Sequence, residues 1–148
     1  MKIKGDVRIR ASRDEVWKVV TDPEAVCYCT PGMRSMEVIT PGRKFHTVGS
    51  VGLGTARVDF SSYVEFTELD PPGRARMRLS CEIRERLVEI SSEMNLSERR
   101  DGTTRMRWTA DVQLIGSRGL TSWIIKPLSK KMTHDLIVCL KKRIERNR

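Results

Sequence analysis

Residues 120–146 read LTSWIIKPLSKKMTHDLIVCLKKRIER, and Leu120, Ile124, Leu128, Met132, Leu136 and Leu140 recur at every fourth position along them. An apolar residue once per turn predicts a helix with one buried face. Pro127 has no amide hydrogen, so it is expected to kink this helix or to begin its main segment. Nothing earlier in the chain carries so long a helical pattern. The surface that buries this face has to come from the segments before it.

About eighty residues ahead of the helix read as strand and turn. Met36–Thr40 is a short strand closed by Pro41-Gly42-Arg43. Phe45, Thr47, Gly49, Val51 and Leu53 then alternate with polar neighbours that include His46. Glycines 49, 52 and 54 are expected to let this strand bend or bulge. Val58, Phe60, Ser62, Val64 and Phe66 form the next inward face, up to Asp70-Pro71-Pro72-Gly73. Met77, Leu79, Cys81 and Ile83 follow, then Val88, Ile90, Ser92, Met94 and Leu96. After a hairpin turn at Asp101-Gly102, Met106, Trp108, Ala110, Val112 and Leu114 supply the last inward face. Gly116 and Gly119 break the pattern. Period two over such runs predicts half-buried strands.

The chain opens in the same way. Ile3, Gly5, Val7, Ile9 and Ala11 alternate with Lys2, Lys4, Asp6, Arg8 and Arg10. Ser12 and Glu15 then make a capping box for a helix that buries Val16, Val19 and Val20 and leaves Trp17 at its margin. Asp22-Pro23 starts a second short helix, and Pro31-Gly32 stops it. The fold class expected is α+β: a curved antiparallel sheet of about seven strands wrapped around a long C-terminal helix, with two short helices after strand one. One domain is expected over residues 1–148. A twisted sheet gripping a single helix leaves a gap between them, which is a natural apolar pocket.

Composition narrows the function. With 39% hydrophobic and 32% charged residues the chain is globular rather than disordered. No apolar run approaches the roughly 18 residues of a spanning helix. The first twenty residues alternate charge and apolarity, unlike a signal peptide, so a cytoplasmic location is expected. The four cysteines, at 27, 29, 81 and 139, are expected to be free buried thiols there. Cys27-Tyr28-Cys29 lacks a second nearby ligand pair, so no metal is expected, and no cofactor either. The net charge of +9 is scattered over the strands, and aromatics make up 5% of residues and mostly point inward. Nucleic acid is therefore not an expected partner.

No catalytic set assembles. His46 lies on an outward strand face, and His134, Asp135 and Ser129 share a helix surface on which adjacent residues do not face one another. The inward methionines suggest a pocket for a flexible or flat apolar molecule, because methionine adapts to irregular shapes. The candidate ligand-binding residues are Met36, Phe60, Ser62, Met94, Met106, Trp108, Leu120, Trp123, Leu128 and Met132. Ser62 could bond to sheet backbone or to a ligand carbonyl. Access is expected between Gly49–Gly54 and Gly116–Gly119. Lys141, Lys142, Arg143 and Arg146 either favour the helix dipole or make weak contact with anionic lipid headgroups.

Several local strings resemble the START-like, helix-grip superfamily of polyketide cyclases and lipid-transfer domains, and within it the carbon monoxide dehydrogenase G-subunit family. They are Lys4-Gly5-Asp6-Val7, Asp14-Glu15-Val16-Trp17, Thr21-Asp22-Pro23-Glu24 and Thr30-Pro31-Gly32-Met33 in the N-terminal part. Val51-Gly52-Leu53-Gly54, Glu68-Leu69-Asp70-Pro71-Pro72 and Gly102-Thr103-Thr104-Arg105 continue the likeness over nearly the whole chain. Arg84-Glu85-Arg86 stands where that family often has a glycine-rich turn, and many members extend toward the membrane beyond the point where this sequence stops. The resemblance implies a non-enzymatic binder of a lipid or quinone-like molecule, associated with a molybdenum hydroxylase of the carbon monoxide dehydrogenase type. A cyclase- or hydrolase-like enzyme and an assembly factor for a redox enzyme are the alternatives.

Overall fold

The computed structural model describes residues 1–53, 55–83, 86–115 and 122–146, with the side chains of residues 53, 56 and 122–125 outside the description. β1 (Lys2–Ile9) leads into α1 (Arg13–Val20) and α2 (Pro23–Cys29). Then come β2 (Met33–Thr40), β3 (Lys44–Leu53), β4 (Ala56–Asp70), β5 (Arg74–Ile83), β6 (Arg86–Glu98), β7 (Thr104–Ile115) and α3 (Ser122–Arg146). The strands form one antiparallel seven-stranded sheet in the order β1-β7-β6-β5-β4-β3-β2. This is the α+β helix-grip arrangement that the sequence pattern implies.

Local chemistry sets the helix starts. The Glu15 amide donates to the Ser12 hydroxyl at 3.3 Å at the head of α1, and the Glu24 amide donates to an Asp22 carboxylate oxygen at 3.1 Å at the head of α2. Each satisfies an amide that the first helical turn leaves without a partner. Pro23 occupies the start of α2, where a missing N–H loses nothing. In α3, Pro127 falls inside the helix rather than at the head of its main segment. In that second turn it removes one intrahelical bond.

Gly49 and Gly52 do not bulge β3 against β4, which pair without a shift from Lys44↔Glu65 to Leu53↔Ala56; the shift beside Gly49 lies on the other ladder, in β2 between Met33 and Ser35. Gly49 is needed for space instead: a Cβ there would stand 2.4 Å from the Gly32 carbonyl oxygen and 2.6 Å from the Phe60 ring. Gly32, at φ +78°, brings that carbonyl in to accept the Ser50 amide at 2.9 Å. The register shifts lie in β2 and near Phe66 on β4.

Cys29 and Cys139 are not free thiols but a disulfide that joins α2 to α3. They are 110 residues apart in sequence, and only the packing of one helix on the other brings them together. Cys27 and Cys81 remain free.

The core has two parts. One gathers Ile9, Val16, Val20, Leu96, Met106, Leu140 and Ile144 where α1, α2 and the end of α3 meet the sheet. The other gathers Ile3, Val51, Val58, Phe60, Cys81, Val88 and Val112 at mid-sheet, with Leu128 and Met132 of α3 against it. Trp108 packs on both. At the corner between β1 and α1 the fully buried Thr104 hydroxyl donates to the Ala11 carbonyl at 2.8 Å.

Candidate ligand cavity

Between the sheet and the helices lies a cavity of about 340 Å³. That is within the size range of small-molecule sites. Its sheet wall is drawn mostly from the inward positions given by the period-two pattern, with Glu93 and Thr109 from the alternate set. The opposite wall comes from two helices. α3 presents Ser129, Met132, Thr133, Leu136, Ile137 and Leu140, and α2 presents Pro23, Val26, Cys27 and Thr30.

Of the residues singled out from the sequence, Met36, Phe60, Ser62, Met94, Met106, Trp108 and Met132 line this cavity. Leu128 does not; it packs against the mid-sheet core beside it. Leu120 and the Trp123 side chain lie outside the described residues, as do Gly54 and the whole Gly116–Gly119 segment of the expected access route.

The α2 wall is absent from the sequence-derived set. Its signal is present all the same, because Pro23, Val26, Cys27 and Thr30 recur at three- and four-residue spacing and so share one helix face. Thr47 and Cys81 are further lining residues outside that set, although alternation places both on inward faces.

Trp108 owes its position to a missing side chain. It pairs with Gly5 across β1 and β7, and a Cβ on Gly5 would stand 2.2 Å from the indole ring. The absent side chain leaves room for the ring to lie over β1, at the edge of the cavity. On the far side, α2 is fastened to α3 by the Cys29–Cys139 bond and by Arg143, whose guanidinium sits 5.0 Å from the centre of the exposed Tyr28 ring. The Arg10 amide donates to a Glu145 carboxylate oxygen at 2.8 Å, which pins the end of α3 to the β1–α1 corner.

The cavity is electrostatically quiet. Its lining includes no lysine, arginine or histidine among the described residues. The one carboxylate is Glu93, which is held by Arg74 at 2.9 Å and Arg76 at 3.7 Å. Burial pushes the thiols of Cys27 and Cys81 above the ordinary range, with the neighbouring Ser62 hydroxyl acting against this at Cys81. Both are therefore protonated, poor nucleophiles near neutral pH.

The histidines are elsewhere. His46 points outward, its ring tilted at 40° against Tyr63 with centroids 4.7 Å apart and its Nε2 2.8 Å from the Ser61 hydroxyl. His134 is exposed, and Asp135 beside it is bound by Lys131 at 3.1 Å. The His134–Asp135–Ser129 set does not come together, although Ser129 alone reaches the cavity wall. Among the described residues no cluster of three histidine, cysteine or acidic side chains could hold a metal ion. Nor is any helix among them long and apolar enough to cross a membrane.

A seven-stranded sheet closed by one long helix over an apolar cavity is a START-like fold. The chain belongs to the CoxG family, that of the carbon monoxide dehydrogenase G-subunit, whose model matches residues 5–145. Solved structures with the same fold include a conserved protein from Geobacillus kaustophilus, with 19% identity, TM-score 0.87 and coverage of 99% of this chain and 96% of that one. A START superfamily protein from Mycobacterium smegmatis has 14% identity and TM-score 0.74, with 99% of each chain covered. The Zhui aromatase/cyclase from Streptomyces sp. R1128 has 15% identity and TM-score 0.74, covering 99% of this chain and 94% of that one. At such identities the likeness is one of fold. No curated protein gives a significant match to the chain.

Proposed function

We propose that this protein is a single START-like domain over residues 1–148 that binds a lipophilic small molecule, lipid- or quinone-like, without chemically changing it. The carrying observation is the cavity of about 340 Å³, whose exposed lining is overwhelmingly apolar and which no described cation enters. A flexible or flat hydrocarbon frame gains roughly 25 cal/mol for each Å² of its surface removed from water. The methionines of the wall can shape themselves to it. Met36, Phe60, Ser62, Met94, Met106, Trp108, Leu120, Trp123 and Met132 remain the proposed contacts, joined by the α2 face, while Leu128 backs the wall from the mid-sheet core.

Membership of the CoxG family supports a partner as well. In this reading the ligand serves a redox enzyme, a molybdenum hydroxylase of the carbon monoxide dehydrogenase type, in the cytoplasm. Exposed Lys142, Arg143 and Arg146, with half-buried Lys141, would supply weak contact with anionic headgroups. Thiol trapping in intact cells tests the compartment, since a reducing cytoplasm disfavours a Cys29–Cys139 bond.

A cyclase-like enzyme is the second reading, favoured by the shared fold of the Zhui aromatase/cyclase. It needs an acid, base or nucleophile facing the cavity. The candidates are two thiols held protonated and one carboxylate already paired with arginines, which favours binding over catalysis.

Native mass spectrometry of the purified protein, followed by solvent extraction, tests the proposal. A stoichiometric lipophilic adduct that is lost in Met132→Trp, where the larger ring fills the cavity, is the expected result. A bare protein mass that takes up neither added lipids nor quinones would refute it.

A further inference from the structure

We propose that Thr47, Ser62 and Cys81 form a hydrogen-bonding subsite in the cavity wall that selects a neutral ligand bearing a carbonyl oxygen. This rests on the binding reading above and adds the chemistry of the ligand's polar end.

The three residues are successive register partners on β3, β4 and β5, Thr47↔Ser62 and Ser62↔Cys81, and all line the cavity. They stand side by side as one polar row. The rows on either side are apolar, with Phe45, Val64 and Leu79 before it and Phe60 and Ile83 after it. Within the row Ser62 and Cys81 face one another as cross-strand partners.

Thr47 is different. It is 4% exposed and its Oγ1 has no partner among the described residues. A buried hydroxyl without a partner is unfavourable, and native proteins rarely leave one so. The neighbouring ladders already engage the strand amides on both sides, through Met36↔Thr47 and Thr47↔Ser62. Oγ1 is left with a proton to donate into the cavity as well as lone pairs that can accept there.

The acceptor that fits is neutral. A carboxylate or phosphate would enter a wall with no described lysine, arginine or histidine to receive its charge. Burying an unpaired anion there is far more unfavourable than a hydrogen bond from Thr47 is favourable. A pure hydrocarbon would bind but leave Oγ1 unsatisfied. A ketone, quinone or ester oxygen accepts that bond and brings no charge.

The test uses three probes on one frame: a long-chain aryl ketone, its deoxy hydrocarbon analogue and the matching long-chain carboxylate. Affinities are read by quenching of tryptophan emission in the wild type, Thr47→Val and Thr47→Ser. The wild type is expected to prefer the ketone over the hydrocarbon by roughly two- to tenfold, the range a neutral hydrogen bond gives. Thr47→Val should erase that preference by weakening the ketone alone, and Thr47→Ser should restore it. In the wild type the carbonyl stretch of the bound ketone should also lie below its value in hydrocarbon solvent.

Thr47→Val binding both probes like the wild type, an unshifted carbonyl stretch, or preference for the carboxylate would each overturn the subsite while leaving the cavity reading intact. Failure of the wild type to bind ketone and hydrocarbon alike would overturn the cavity reading, and the subsite with it.

Discussion

Reducing the Cys29–Cys139 bond should remove a large share of the protein's stability. The bond closes a loop of 110 residues. In the chain-entropy treatment, linking residues n apart removes 2.1 + 1.5R ln n cal/mol/K from the unfolded ensemble; for this separation that is about 16 cal/mol/K, or about 4.8 kcal/mol at 25 °C. Single domains commonly have roughly 5–15 kcal/mol in all. The assay is urea unfolding of oxidised protein, of protein reduced with a phosphine, and of the Cys29→Ala/Cys139→Ala double variant. With slopes of roughly 1–3 kcal/mol/M, the midpoint should fall by at least about 1.5 M on reduction. The double variant should behave like the reduced protein, because both lack the same link. Oxidised and reduced midpoints agreeing within about 0.5 M would refute the reasoning. So would a double variant as stable as the oxidised form, since the reduced thiols rather than the lost tie would then be responsible.

Three further outcomes follow from contacts described above. Gly5→Ala drives a methyl into the Trp108 ring, so it should destabilise by about 1–3 kcal/mol and shift tryptophan emission, and an unchanged urea midpoint would contradict the close approach. Thr104→Val removes the hydroxyl that donates to the Ala11 carbonyl and should cost about 1–3 kcal/mol by calorimetry. Arg105 holds the Asp6 carboxyl below its ordinary range, through hydrogen bonds at 2.9 and 3.1 Å and through its charge. A lowered folded pKa means that the contribution is present above the unfolded value, near 3.9, and is lost as pH falls through the lower folded value. Asp6→Asn should therefore flatten the stability profile only in that acid window, and a carboxyl NMR titration placing Asp6 at or above the ordinary value would contradict the pairing.

The strands were legible because alternation depends only on neighbours along the chain. Phe45, Val51, Val58, Phe60, Met106 and Val112 are buried where period two put them. The helix caps at Ser12 and Asp22 were legible for the same reason, being local hydrogen-bond chemistry. Contacts between distant segments were not. Cys29 meets Cys139 only once α2 lies on α3, and the need for a glycine at 49 depends on the Gly32 carbonyl and the Phe60 ring arriving there. Alternation could place Thr47 on the inward face, but it could not show that the strands on either side would leave its hydroxyl alone. The α2 wall was visible as a helix face, yet nothing in the sequence said which cavity that face would meet.

The pairing of β1 with β7 has a consequence for how the chain is made. Ile3 lies opposite Ala110, so β1 must wait for β7 to leave the ribosome before the two can pair. At roughly 5–20 residues per second that wait is on the order of ten seconds, and α3 emerges later still. Until it does, the mid-sheet face that Leu128 and Met132 pack against lacks its cover. The nascent chain thus shows that face to every passing hydrophobic surface, and a chaperone able to shield it would matter most in this interval.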